Sequence, residues 1–340
     1  MSAHAAWQRT HAEPFRSPVT GLGLTDIESA AKRISGVAAR TPLKPSPALS
    51  DRLGTDVFLK LETFQATGAF KLRGAANRLL ALDAREQRAG VVTVSTGNHG
   101  RAVAYMARRL GIRCVVCLSE LVPANKIGAI ASLGAEVDVC GADQDVALGR
   151  ACARAADEGL VMVSPFDDPF VIAGQGTLAL EVLDQLPQAG TIIVPISGGG
   201  LAAGVALACK ASGAKTRVVA ISSERCAAML RSLEAGRPIE VAEQPSLADS
   251  LGGGIGLDNR YTFPIVCELV DEIQLVSEDE IAQALRFAFA NERLVVEGAA
   301  AAPLAALLRA EVGELQGPIV AVVTGDNVDP TRLLQVLAAA

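Results

Sequence analysis

Two short segments of this 340-residue chain carry residue types suited to covalent and anion chemistry. The first is Thr67-Gly68-Ala69-Phe70-Lys71-Leu72-Arg73-Gly74. Lysine is scarce, seven against 24 arginines, and Lys71 lies between apolar neighbours just after a glycine turn. A lysine so placed loses hydration, which lowers its pKa and makes the nucleophilic amine available. The ordinary alternative is a surface lysine whose methylenes cover apolar side chains. The second segment, Ser197-Gly198-Gly199-Gly200-Leu201, opens an apolar helix. Glycine lets backbone approach a ligand closely, and free amides at a helix start favour an anion such as phosphate. Gly198, Gly200 and Ala203 also match G-x-G-x-x-A, with Glu224 as ribose acceptor, so a dinucleotide turn is a competing reading.

Two further loops resemble the second. Strand-like residues 91–94 run into Ser95-Thr96-Gly97-Asn98-His99, and residues 318–323 into Thr324-Gly325-Asp326-Asn327. Three strands thus end in a hydroxyl residue and glycine, and in open α/β sheets ligands bind beyond the carboxyl ends of strands. One shared polar crevice would follow, although ordinary turn chemistry also produces such loops.

The elements that must position these loops alternate between strand and helix. Strand patterns at 57–61, 91–94, 113–118, 136–140, 191–196, 217–221 and 318–323 are separated by helical ones. In the helix expected at 98–110, Val103, Met106, Ala107 and Leu110 share one face. Capping boxes are expected at Thr25…Glu28 and Ser277…Glu280. The alternation predicts parallel-rich sheets flanked by helices on both faces.

Composition removes several function classes. The formal charge of −6 leaves no basic footprint for nucleic acid. Residues 185–209 are uncharged, but Pro187, Pro195 and the glycine run fit a strand–loop–helix better than a membrane span. Seven cysteines, an odd number mostly inside apolar segments, predict buried, reduced thiols and a cytoplasmic protein. Cys114 and Cys117 fall on one strand with their thiols on opposite faces, so they would not converge on a metal. His99 is the single histidine of the body, which argues against a metallohydrolase or a Ser-His-Asp hydrolase. Residues 1–24 read as a loose leader without a signal peptide.

Taken together, Lys71 in Gly-Ala-Phe-Lys-Leu-Arg-Gly, the loop Ser95–His99, the loop Ser197–Gly200 and Thr324-Gly325-Asp326-Asn327 resemble the four signatures of the serine/threonine dehydratase family. These are pyridoxal 5'-phosphate (PLP) enzymes of the tryptophan-synthase-β type, fold type II. Ile172-Ala173-Gly174-Gln175-Gly176-Thr177 is similar to a further family stretch. Residues 247–259, containing Gly252-Gly253-Gly254, resemble more narrowly the hydroxyectoine-utilisation dehydratases.

The resemblance implies that Lys71 joins the cofactor aldehyde through its amine and later removes the substrate Cα proton. It implies that Gly198, Gly199, Gly200 and Leu201 hold the phosphate, Asn98 the ring hydroxyl, and Phe70 the ring face. Thr324 would face the pyridine nitrogen, where a hydroxyl makes a weaker electron sink than a carboxylate and favours rapid β-elimination. Ser95, Thr96 and His99 would receive the substrate carboxylate. Thr96, with Lys71, would be catalytic, because racemases of the family keep a hydroxyl there. Ala69 departs from the serine common two residues before the lysine. Ser222 and Ala228 stand where relatives place cation ligands, so no metal is expected. The chain ends soon after Thr324, leaving no room for the regulatory domain of biosynthetic relatives.

The resemblance further implies two α/β domains, a small one at 88–167 and a large PLP-binding one formed by 25–87 and 168–340, in a homodimer. The expected reaction is loss of water from a 3-hydroxy-2-amino acid, giving a 2-oxo acid and ammonia. A ring-opened hydroxyectoine derivative is the first expected substrate; threonine or serine dehydration, or racemisation, is the alternative. A Rossmann-type NAD oxidoreductase would leave Lys71, Asn98 and Thr324 unexplained, and an amino-acid sensor would have no need of Lys71.

Overall fold

A computed structural model describes residues 7–8, 21–95, 97–309 and 314–339. Its strands are β1 (Trp7–Gln8), β2 (Leu43–Pro45), β3 (Val57–Leu61), β4 (Val91–Val94), β5 (Cys114–Leu118), β6 (Glu136–Val139), β7 (Val161–Met162), β8 (Thr191–Pro195), β9 (Arg217–Ser223), β10 (Glu272–Val276) and β11 (Ile319–Val323). They form two sheets, one of seven strands ordered β1-β10-β9-β8-β11-β3-β2 and one of four ordered β6-β5-β4-β7. The small sheet is wholly parallel. In the large sheet only the edge strands β1 and β2 run antiparallel.

The central strands are continuous apolar runs because both faces of a parallel sheet are covered. In β8, Ile192 and Val194 enter one core and Ile193 the other; in β11, Val320 and Val322 are divided in the same way from Ile319, Ala321 and Val323. The helices Pro169–Gln185 and Gly200–Ala211 cover the first face, and Glu278–Phe287 and Gly298–Leu307 the second. The small sheet repeats this pattern, with Cys114, Val116 and Leu118 facing one core and Val115 and Cys117 the other. The two thiols of Cys114 and Cys117 therefore do point apart, as the strand period requires.

Three expectations are corrected. Trp7–Gln8, within the segment read as a loose leader, pairs with β10 as an edge strand. The first long helix, Leu24–Arg33, is capped one step earlier than Thr25…Glu28: Asp26 accepts a 2.9 Å hydrogen bond from the Gly23 amide. Among the cysteines, Cys152 and Cys267 are exposed rather than buried.

All four strands of the small sheet lie between residues 91 and 162. The helix Lys71–Leu80 lies outside the small-domain boundaries that we propose at 88 and 167. It nevertheless packs Leu72, Ala75, Ala76 and Leu79 into the same core as Val91 and Met106 of the small sheet layer. It touches the large domain through Gly74, where a Cβ would lie 2.9 Å from Val171 and 2.4 Å from the Gln175 amide. The segment that begins at Lys71 is therefore wedged between the two sheets.

Candidate active site

Strands β8, β11 and β3 are neighbours, so the loops at their carboxyl ends meet. Phe70 donates its amide to the Thr324 carbonyl at 2.9 Å, and Asp326 donates to the Gly68 carbonyl at 3.0 Å. Asn327 Nδ2 reaches Thr67 O at 3.0 Å. Gly68 is glycine for two reasons: its φ is +71°, and a Cβ would fall 2.3 Å from Asp326 Oδ1. These contacts fix the turn that presents Lys71 as the first residue of its helix.

One cavity at the junction of the domains is lined by Phe70, Lys71, Ser95, Asn98, His99, Gly198, Gly199, Gly200, Leu201 and Thr324. Every candidate site residue except Thr96 is thus brought to the same place; Thr96 lies outside the described residues. Lys71 Nζ donates to Pro165 O at 2.7 Å and sits 5.3 Å from the Phe70 ring centre. Burial pushes its pKa down to about 8, partly opposed by the charge of Glu297.

Two residues below Lys71, Arg73 is buried and fully engaged. It holds Glu62 through Nε and Nη2, both at 2.8 Å, and Glu181 through Nη1 at 2.7 Å. Lys60 joins the cluster on Glu181 at 2.7 Å. Paired charges of this kind persist in a core only while each keeps its partner.

The small domain contributes the loop after β4. Ser95 Oγ accepts from the amides of Gly97 at 2.9 Å and Gly100 at 2.8 Å, so its hydroxyl caps the helix Asn98–Leu110. His99 places Nε2 at 3.3 Å from Val163 O. A carbonyl only accepts, so Nε2 carries the proton and Nδ1 is left with a lone pair. That Nδ1 is buried and has no partner. Burial and the nearby Lys71 charge push His99 down to about 3, leaving it neutral at pH 7.

The sequence did not single out Glu297. It caps the helix Gly298–Leu307, lines the cavity and accepts from Asn98 Nδ2 at 2.7 and 2.9 Å. Burial pushes its pKa up to about 7, with Lys126 and Asn98 opposing. A lone charge in the otherwise uncharged stretch 294–308 was the available signal. Phe166, Gln144 and Gly252-Gly253-Gly254 also line the cavity. Long-range packing brings them there, which no local motif announces.

The residues fit a cofactor bearing an aldehyde and a phosphate. Gly199 has φ +90°, and a Cβ at Gly198 would lie 2.2 Å from the Phe166 ring, so only glycine keeps this loop open. The first amides of the helix Gly200–Ala211 lack intrahelical acceptors and face the cavity that holds the lysine. Among the described residues, no group of three or more His, Cys, Asp or Glu side chains is placed to hold a metal. None of their helices is long and apolar enough to cross a membrane.

Fold and site together define a two-domain α/β enzyme with an amine and an anion cradle in one cleft. The sequence model of the pyridoxal-phosphate dependent enzyme family matches residues 34–325. The chain belongs to that family, and its cofactor is PLP. It is 47% identical over 311 residues to a Sinorhizobium fredii protein provisionally named a threonine dehydratase, covering 92% of this chain and 94% of the relative. It is 40% identical to an L-threonine ammonia-lyase of Geobacter sulfurreducens, covering 91% of this chain and 76% of the relative. Among solved structures, a bacterial threonine deaminase (source given as T.th.) superposes with a TM-score of 0.82 at 38% identity, covering 91% of this chain and 99% of that one. Maize serine racemase gives a TM-score of 0.86 at 34% identity, covering 93% and 97%.

Proposed function

We propose that this enzyme is an L-threonine or L-serine dehydratase that releases ammonia and a 2-oxo acid. The observation that carries this reading is the meeting of the Lys71 amine, the glycine-rich helix start and the Thr324 hydroxyl residue in one cleft. The relatives named for threonine weigh toward threonine and serine, so the ring-opened hydroxyectoine derivative becomes the second substrate rather than the first.

PLP supplies the electron sink for the pair released at Cα. The amides of Gly198–Leu201 hold its phosphate, Asn98 reaches its ring hydroxyl, and Phe70 flanks the ring. Lys71, already partly neutral near pH 7, takes the Cα proton. The unprotonated Nδ1 of His99 accepts a hydrogen bond from a substrate donor, the β-hydroxyl or the ammonium, rather than contacting a carboxylate oxygen. The carboxylate falls instead to backbone amides of the loop from Ser95 to His99. Threonine gives 2-oxobutanoate and ammonia, the water lost at Cβ being regained on hydrolysis.

Purified enzyme supplied with L-threonine, L-serine and 3-hydroxy-2,4-diaminobutyrate, with ammonia and 2-oxo acid measured, tests the proposal. Turnover of threonine or serine supports it; turnover confined to the diamino compound transfers the assignment to hydroxyectoine breakdown. D-serine formation from L-serine would add racemisation, with Thr96 as the residue to substitute. A homodimer in the cytoplasm completes the reading, its assembly to be measured by light scattering.

A further inference from the structure

One buried cation near the cleft has no part in the chemistry above. Lys126, in the helix Ala124–Ala131 of the small sheet layer, has a side chain only 6% exposed. Its Nζ donates to Asp249 Oδ2 at 2.7 Å. Asp249 opens the short turn Asp249–Leu251 on the large-domain side, and Ser250, Leu251 and Gly252 line the cavity. Ser250 Oγ adds a 3.2 Å hydrogen bond to Asp249 Oδ1.

The stem of Lys126 matters as much as its end. Gly97, at φ +143°, stands directly on it, and a Cβ there would lie 2.8 Å from Lys126 Cδ. Gly97 precedes Asn98 and His99 in the loop that faces the substrate space. Lys126 thus passes beneath that loop and ends on the opposite wall of the cleft. An ammonium this enclosed is costly without its counter-charge, so its pairing energy is available only while the two walls stand together.

We propose that Lys126 and Asp249 form an interdomain clasp that holds the Ser95–His99 loop in its substrate-receiving position. Lys126 is a positioning residue, and the proposal rests on the reading above that this loop takes the substrate. The clasp acts on substrate affinity and leaves cofactor attachment alone, because neither side chain lines the cavity.

Holoenzyme carrying Lys126→Met, Asp249→Asn or both is titrated with L-threonine and L-serine. The cofactor absorbance change gives an apparent Kd without turnover, and initial rates give KM and kcat. Lys126→Met keeps the stem under Gly97; its apparent Kd and KM rise about tenfold while kcat stays within about twofold, the scale of one charge-assisted hydrogen bond. Asp249→Asn costs at least as much, because it strands the buried ammonium. The double variant stays within about threefold of the single ones rather than reaching about a hundredfold. Amide hydrogen exchange across 97–101 quickens in Lys126→Met with or without cofactor.

Unchanged Kd in folded Lys126→Met, or effects that multiply in the double variant, overturns the clasp. Wild-type enzyme that binds but does not consume threonine or serine refutes the dehydratase reading and leaves the Kd comparison to judge the clasp. Where no amino acid perturbs the cofactor, unchanged exchange at 97–101 overturns it.

Discussion

Replacing Glu297 with glutamine should hasten the covalent loading of PLP near neutral pH. Only the neutral amine of Lys71 attacks the aldehyde. With a pKa of about 8, about one Lys71 in eleven is neutral at pH 7, against about one in three thousand for a lysine at 10.5. Burial supplies that advantage and the Glu297 carboxylate, ionised above about pH 7, works against it. Glu297→Gln removes the opposing charge, keeps one acceptor for Asn98 Nδ2, and leaves burial in place. The Lys71 pKa then falls below 8, and loading at pH 7 speeds up by at most about elevenfold, the limit set by a fully neutral amine. Rapid mixing of apo-protein with PLP from pH 6 to 10.5 is the assay. Wild-type loading should rise about tenfold per pH unit and level near 8, with the break moving downward in the variant. A wild-type break near 10.5, or an upward shift in Glu297→Gln, would refute the electrostatics assigned to this pair.

Other consequences follow from the same geometry. Glu62→Gln leaves the Arg73 guanidinium short of a buried counter-charge and should lower stability by about 3–5 kcal/mol, read as an earlier urea midpoint. Although burial alone would raise it, Arg73 holds the Glu62 carboxyl below its ordinary value; this stabilisation is present above that ordinary value and is lost as pH falls through the lowered one. Gly198→Ala drives a methyl into the Phe166 ring and should weaken PLP retention on dialysis at least tenfold, about 1.4 kcal/mol, whereas an unchanged affinity would deny that this loop is the phosphate cradle. A thiol reagent on folded protein at pH 8 should label Cys152 and Cys267 rapidly and spare Cys114, Cys117 and Cys209, whose pKa values burial pushes up to about 12.

Much of the site was legible because its chemistry is local. Lys71 with its glycine turn, the Ser197–Gly200 helix start and the Thr324 loop each declare a backbone geometry within a few residues, and strand alternation places their ends together. The faces of Cys114 and Cys117 followed from the strand period alone. What stayed hidden depends on contacts across long separations. Glu297 is drawn to Asn98 across 199 residues, and Lys126 to Asp249 across 123. His99 was placed with the carboxylate-binding group, but its partner, the Val163 carbonyl, fixes the tautomer and makes the free nitrogen an acceptor. The edge strand Trp7–Gln8 escaped notice because two residues are too few to show alternation.

The central claim is that a single amine, that of Lys71, carries the cofactor. Borohydride reduction of the holoenzyme followed by peptide mapping tests it most directly. The account predicts a pyridoxyl group on the peptide containing Lys71 and on no other. A label on Lys126 or Lys60, or a holoenzyme whose Lys71→Ala variant still retains reducible cofactor and dehydrates threonine, would contradict it.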